Sequence, residues 1–242
     1  GTGEGKQEKK QPILFIGHGN PMNAIQENAF SHSLARLGSS LKGPKAILCI
    51  SAHWMTNGTW VTRMEKPRTI HDFHGFPKPL FEVQYPAPGS LELADLICLE
   101  IKKPKMNADD TEWGLDHGTW AILKYLFPKA DIPVVQLSID MTQDSEFHFR
   151  LGQDLRFLRD QGILIIGSGN IVHNLRQVDF SAAAKPYAWA IDFDEWVKDC
   201  LIRRDFSSLL NQAMESKAGK LSIPTPDHWY PFLYILGASL EE

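Results

Sequence analysis

The chain has 242 residues, of which 43% are hydrophobic and 22% are charged, and its formal net charge at pH 7 is −4. These are ordinary values for a folded globular protein and exclude a mainly disordered chain. The mildly acidic charge gives no electrostatic reason to expect a nucleic-acid partner. No apolar run reaches the ~18–20 residues that cross a bilayer, so a membrane partner is not expected either.

Short apolar runs alternate with longer stretches of helical spacing. Four runs predict buried strands: Ile13–Gly17, Ala46–Ser51, Val134–Ile139 and Ile163–Gly167. They are almost continuously apolar, which is typical of strands covered on both faces. Helices are expected at Ala29–Leu41, Ser90–Ile101, Gly118–Phe127, Glu146–Asp160 and Tyr187–Ile202, with a further strand at Thr59–Arg63. The alternation predicts an α/β fold with a largely parallel central sheet and helices on both faces.

The length of the chain predicts one domain. The polar residues 1–10 lack the apolar core of a signal peptide and are expected to be a tail or a remnant of cloning, so the domain spans residues 11–242. Within it, Glu65–Gly89 contains five prolines and two glycines, too many for a regular element. A loop of this length in a compact domain is more often functional than passive.

The three cysteines are Cys49, Cys98 and Cys200, an odd number at wide spacing. No CxxC pair is present, so neither a zinc ribbon nor a disulfide framework is indicated. Free thiols in apolar sequence suit a reducing compartment, and we therefore predict a cytoplasmic protein.

Three of the nine histidines follow strands of the predicted sheet. His18 comes after the first strand, His53 after the second and His173 shortly after the last. Ligands of open α/β sheets bind beyond the carboxyl ends of the strands, so we expect these imidazoles to meet at one edge. A single histidine after a strand usually caps it or makes a local hydrogen bond. Three of them, each with Gly, Asn or Ser within two residues, point instead to a shared site.

Imidazole ligands suit iron, zinc, copper and nickel. Three histidines on a rigid sheet edge would leave coordination positions open, as a catalytic metal requires. Other histidines are then candidates for proton transfer: His117 at a helix start, and His71 and His74, which face either solvent or substrate from the irregular segment. His32 and His148 lie in helical stretches without a companion signal and are assigned to the surface.

Eight short motifs, in this order along the chain, resemble those of the DOPA 4,5-dioxygenase type of class III extradiol ring-cleavage dioxygenases. They are GHGNPM (17–22), SAHW (51–54), TIHDFHGFP (69–77), YPAPG (85–89), GLDHGTW (114–120), IPVVQLSID (132–140), GSGNIVHNLR (167–176) and TPDHWYPFLYILGA (225–238). The resemblance covers nearly the whole chain. Each motif alone is weak, but eight in order make a specific pattern.

The resemblance implies a non-haem Fe(II) enzyme that opens a catechol ring beside its two hydroxyls with O2. By similarity, His18, His53 and His228 would bind the metal, while His173 and His117 would be the acid–base pair. Zinc is also found in proteins of this type, and His173 is an additional candidate ligand when zinc occupies the site. The implied partners are a small catechol and O2, and the resemblance does not decide between DOPA and other catechols.

The third ligand position distinguishes this chain from related protocatechuate 4,5-dioxygenases, which use two histidines and one carboxylate. Here the position is His228, so neutral imidazoles would leave the metal more positive. Asp227 is adjacent, but neighbouring side chains of an extended segment point in opposite directions.

Aromatic residues near the motifs have two interpretations. They either wall the pocket around a flat ring or simply pack in the core, as Trp and Phe commonly do. The residues concerned are Trp54, Phe73, Phe76, Trp120 and Trp229. Lys78 and Arg176 also stand near motifs but are expected to be surface charges.

Two other functional classes remain open on the residues alone. A zinc hydrolase would use a metal-bound water, although no HExxH base motif is present. A metal-binding protein without turnover is the other alternative. The presence of both His117 and His173 favours an enzyme over this second alternative, because a metal holder needs no acid–base pair.

Overall fold

A mixed six-stranded sheet forms the centre of the computed structural model, which describes residues 10–169, 196–211 and 229–239. Its strands are β1 (Ile13–Gly17), β2 (Ala46–Thr56), β3 (Thr59–Thr62), β4 (Met106–Asp109), β5 (Val134–Asp140) and β6 (Ile163–Gly169). The strand order is β1-β6-β2-β5-β3-β4. All neighbours are parallel except β3 and β5, which pair antiparallel at Val61 and Leu137. The largely parallel sheet predicted from the sequence is confirmed.

Helices connect and cover the strands. They are α1 (Ala29–Ser40), α2 (Lys78–Phe81), α3 (Leu91–Glu100), α4 (His117–Leu126), α5 (Ser145–Leu155), α6 (Phe206–Asn211) and α7 (Tyr230–Ala238). Two 3-10 helices lie at Pro21–Ala24 and Arg156–Gln161, and residues 196–202 are also helical. None of the helices described is long and apolar enough to cross a membrane.

The sheet is covered on both faces, and β2 shows why its sequence is continuously apolar. Leu48 and Ile50 pack in a core cluster with residues of α3, α5 and α7. Ile47 and Cys49 belong to a second cluster with residues of α1 and α4. Successive side chains of a strand point to opposite faces, so both sets must be apolar when both faces are buried.

Two strands differ from the sequence prediction. Strand β2 continues past Ser51 to Thr56, with a register shift between Ile50 and Met55 in its pairing with β5. His53 therefore lies within the strand and does not follow it. The short strand Met106–Asp109 was not predicted, because four residues at the sheet edge, buried only at their two ends, carry no apolar run.

The proline-rich segment 65–89 contains one helical turn, α2, and is otherwise irregular, as predicted. Backbone hydrogen bonds fix its first part to the chain that leads into α4. Ile70 N–H donates to Leu115 O at 2.7 Å, and Leu115 N–H donates to Arg68 O at 2.8 Å. The segment is thus held against the carboxyl edge of the sheet.

All three cysteines carry free thiols. Cys49 and Cys200 are buried, whereas Cys98 is partly exposed. Burial raises the pKa of Cys49 to about 12, so this thiol stays protonated and is a core residue.

The surface assignment of His148 is wrong. Its side chain is fully buried, with Nδ1 2.8 Å from the Tyr234 hydroxyl and its ring centroid 4.1 Å from that of Tyr230. The apolar helix α7 packs over α5, and this long-range contact is invisible in the α5 sequence. His32 is exposed, as predicted.

The buried His148 predicts a loss of stability in acid. Burial lowers the pKa of His148 to about 4, although the charges of Asp140 and Asp144 oppose the shift. Because the unfolded state has the higher histidine pKa, it takes up the proton first, and stability falls as the pH drops from about 6.5 toward 4. We expect about 2 kcal/mol of this loss between pH 7 and pH 5.

Urea denaturation at both pH values measures the effect. A His148→Gln protein should show a smaller loss than the wild type, whereas His32→Gln, which changes an exposed histidine, should match the wild type. Equal acid sensitivity of the His148→Gln and wild-type proteins would contradict the assignment.

Candidate metal centre

Three imidazoles meet at the carboxyl edge of the sheet. His18 follows β1, His53 lies in β2 and His117 is the first residue of α4. One ring nitrogen from each lies within 4.8 Å of the others. The ring centroids of His53 and His117 are 3.9 Å apart, and those of His18 and His53 are 4.7 Å apart. These residues are distant from one another in the sequence, and the fold brings their side chains together.

The Nε2 atoms of His18 and His53 face each other at 2.9 Å. The other ring nitrogen of His18, Nδ1, lies 2.9 Å from the Ser168 hydroxyl, and this hydroxyl donates its hydrogen to Gly118 O. With its hydrogen thus engaged, the hydroxyl accepts from His18 Nδ1–H. Nε2 of the neutral ring is then the nitrogen that carries the lone pair, as a metal ligand requires.

Asp72 lies beside His117 and His53. Its Oδ1 accepts the backbone N–H of His117 at 2.9 Å and lies 2.9 Å from Nδ1 of the same residue. Its Oδ2 is 3.8 Å from His53 Nδ1. Burial disfavours the charged form of Asp72, but contact with His117 and the charge of His53 outweigh it, so the pKa of Asp72 lies below its ordinary value.

A second carboxylate, that of Asp116, is fully buried behind the rings. It accepts hydrogen bonds from Ser51 Oγ at 2.7 Å, Gln136 Nε2 at 2.9 Å and Trp113 Nε1 at 3.1 Å. Burial and the nearby charge of Asp72 raise the pKa of Asp116, while the bonds from Gln136 and Ser51 oppose the shift. Because Gln136 Oε1 also accepts the backbone N–H of Asp116, the start of α4 is fixed to β5.

Glycines allow the backbone to approach the rings. A Cβ at Gly118 would lie 2.6 Å from Ser51 Oγ and 3.0 Å from His53 Cδ2, so α4 reaches β2 only with glycine there. Gly19 has φ +63°, a conformation that other residues rarely adopt, and it turns the chain directly after His18.

The predicted aromatic residues fall into two groups. Phe73 packs edge-on against His117, with ring centroids 5.5 Å apart, and Phe76 packs on Phe73. Trp54 stacks on Trp113. Trp120 and Trp229 are instead fully buried core residues. Phe73 and Phe76 of the proline-rich segment, which are only partly buried, stay candidates for the pocket wall.

The remaining candidates have other environments. His71 Nε2 lies 2.8 Å from Val83 O and so stabilises the proline-rich segment. His74 is exposed, and Lys78 is a surface charge, with its side chain 86% exposed beside Glu82. The predicted site residues His173 and His228 lie outside the described residues, as does Arg176.

The donor set fits a divalent metal ion. Nitrogen ligands about 2.0–2.2 Å from one ion are roughly 3.0–3.4 Å apart, close to the spacing observed between His18 and His53. Both rings present Nε2 to the common space while Nδ1 faces a polar side chain, which is the usual arrangement of metal-binding histidines.

Comparison with known proteins decides the family. The family model described as the catalytic LigB subunit of aromatic ring-opening dioxygenase matches residues 12–241. The chain belongs to the LigB family. Members of this family are aromatic ring-opening dioxygenases, so the histidine cluster lies in an enzyme of that class.

Similar proteins agree with the LigB assignment. The chain is 46% identical over 232 residues to 4,5-DOPA dioxygenase extradiol of Escherichia coli K12, covering 95% of this chain and 85% of the relative. It is 39% identical over 243 residues to 4,5-DOPA dioxygenase extradiol of Beta vulgaris, covering 98% and 90%. The crystal structure of an uncharacterized protein from Escherichia coli K12 superposes with a TM-score of 0.81 at 42% identity, covering 94% of this chain and 88% of that one.

Three polar residues of this LigB-family site were not predicted from the sequence: Asp72, Ser168 and Gln136. Asp72 lies between two histidines in the IHDFHG motif, and this placement was the available signal. Ser168 and Gln136 lie within apolar strands, where a polar residue is an exception that requires a partner.

Proposed function

We propose that this chain is an extradiol dioxygenase that opens a catechol such as DOPA with O2 at a non-haem Fe(II) centre, which zinc can also occupy. The observation that carries the proposal is the meeting of His18, His53 and His117 at one sheet edge in a LigB-family chain. Relatives named 4,5-DOPA dioxygenase extradiol support the choice of substrate class.

We assign His18, His53 and His228 to the metal. The first two present Nε2 to a common space, and His228 comes from the motif resemblance. When bound, the ion supplies positive charge for a deprotonated catechol and, as iron, the redox activity that reaction with O2 requires.

The acid–base work falls to His173 and His117. His173 takes the proton of one catechol hydroxyl as the substrate binds and returns it during ring opening. His117 forms a hydrogen bond with the second hydroxyl from a fixed position at the start of α4. His173 remains an additional candidate ligand when zinc is present.

The proline-rich segment contributes a wall of the pocket. Phe73 lies against His117, so its ring can pack on the flat substrate beside the acid–base group. Enclosure by Phe73 and Phe76 also limits water around the deprotonated catechol, where a low dielectric strengthens every charge interaction. A reducing, cytoplasmic environment suits the three free thiols and the retention of Fe(II).

A colour assay tests the proposal. Protein loaded with Fe(II) without oxygen is mixed with DOPA and then exposed to air, with caffeate and unsubstituted catechol in parallel. We expect O2 uptake and a yellow ring-opened product with at least one of them. A zinc hydrolase or a metal-binding protein without turnover would give neither, and that result would reject the proposed activity.

A further inference from the structure

We propose that Asp72 is a positioning residue for His117. Its carboxylate holds the imidazole with hydrogen on Nδ1, so that the Nε2 lone pair faces the reacting centre. The role at the reacting centre rests on the proposed acid–base function of His117, whereas the effect of Asp72 on the imidazole does not.

The carboxylate of Asp72 is a hydrogen-bond acceptor directly beside Nδ1 of the buried His117 ring. Its Oδ1 is 2.9 Å from His117 Nδ1, and the two side chains are 13% and 6% exposed. Among the residues described, no hydrogen bond of regular geometry satisfies this Nδ1. A buried N–H without an acceptor is unfavourable, so the adjacent carboxylate favours the tautomer that places a hydrogen there.

The same carboxylate faces a second imidazole of the site. Its Oδ2 lies 3.8 Å from His53 Nδ1, while His53 Nε2 faces His18. One side chain thus lies behind two rings, on the side away from their shared space. The oxygens of Asp116 are instead directed at Ser51, Gln136 and Trp113, from which they accept hydrogen bonds.

Hydrogen bonds hold the backbone of the segment that contains Asp72 in place. The backbone around it is hydrogen bonded to Leu115, two residues before His117, and Oδ1 accepts the His117 backbone N–H. Phe73 packs edge-on against the His117 ring at an interplanar angle of 83°. The proline-rich segment therefore restrains the imidazole through two consecutive side chains, Asp72 by charge and Phe73 by packing.

Nitrogen NMR tests the tautomer directly. Long-range 1H–15N correlation spectra of the full chain loaded with Zn(II) report which ring nitrogen carries the hydrogen, and the His117 signals are identified by their absence in His117→Gln. We expect hydrogen on Nδ1 in the wild type. Hydrogen on Nε2 in the wild type would overturn the proposal without any variant.

Three variants separate positioning from structure. Asp72→Asn should populate the Nε2–H tautomer, because the amide can donate toward Nδ1. Asp72→Glu, which keeps a carboxylate, should retain the Nδ1–H tautomer. Asp144→Asn is the matched control, since it removes a carboxylate that caps α5 by accepting the backbone N–H of Phe147. A wild-type tautomer in Asp72→Asn, or an equal change in Asp144→Asn, would overturn the proposal.

Kinetics of the Fe(II) form provide a second readout. Asp72→Asn should lower kcat for the catechol about 10- to 100-fold, the usual effect of removing an outer partner of a site histidine. KM should change little, and Asp72→Glu should recover part of kcat. An unchanged kcat in Asp72→Asn would overturn the proposal. If the wild type turns over no catechol, the proposed function fails alone, and the NMR result still decides the role of Asp72.

Discussion

A His18→Ala protein is expected to lose most of its bound metal and, with it, more than about a hundredfold of catechol turnover. His18 is buried and its Nε2 faces that of His53 at 2.9 Å, while Ser168 holds the other ring nitrogen. Removal of the imidazole deletes one of the three nitrogen ligands assigned to the metal and so weakens metal binding. Metal content per chain by mass spectrometry and O2 uptake with DOPA measure the two losses together.

His173→Ala provides the contrast. As the proposed base, His173 should be needed for turnover but not for the metal, so this variant should lose most activity and keep nearly all of its metal. Loss of metal in His173→Ala would change its role from base to ligand. His32→Ala, which alters an exposed histidine, should match the wild type in both measurements. Full metal content in His18→Ala would contradict the assignment of His18 as a ligand.

Turnover of a catechol should depend on which metal the protein holds. Protein reconstituted with Fe(II) should consume O2 in the presence of a catechol, and the same protein loaded with Zn(II) should consume none. Zinc has no accessible redox change, so it can hold a substrate but cannot provide electrons for O2. An oxygen electrode follows both samples at equal protein and metal content.

Equal O2 uptake by the two metal forms would contradict the redox role of the ion. Zinc should nevertheless bind the same histidines, since imidazole suits both ions. We therefore expect Fe(II) and Zn(II) to compete for a single site in each chain. Independent binding of one iron and one zinc per chain would show separate sites.

The fold was largely predictable because burial on two faces leaves a simple sequence signal. The strands β1, β2, β5 and β6 begin where their apolar runs begin. The edge strand β4 was missed, since pairing on one side does not require an apolar run. His148 was misassigned because the helix that buries it lies about eighty residues further along the chain.

The site was predictable in part for a similar reason. His18 and His53 are associated with strands, and parallel topology brings strand ends to one edge, so their convergence could be expected. The roles of Asp72 and Ser168 could not be expected, because they depend on where a loop and a neighbouring strand lie relative to the rings. Contacts between these side chains and the histidine rings depend on the tertiary structure, and no residue spacing in the sequence predicts them.

Anomalous diffraction from crystals loaded with Fe(II) tests most directly whether these imidazoles share one ion. We expect a single peak at the iron edge, roughly 2.0–2.2 Å from Nε2 of both His18 and His53. A peak bound to only one of the two rings, or iron located away from this edge of the sheet, would contradict it.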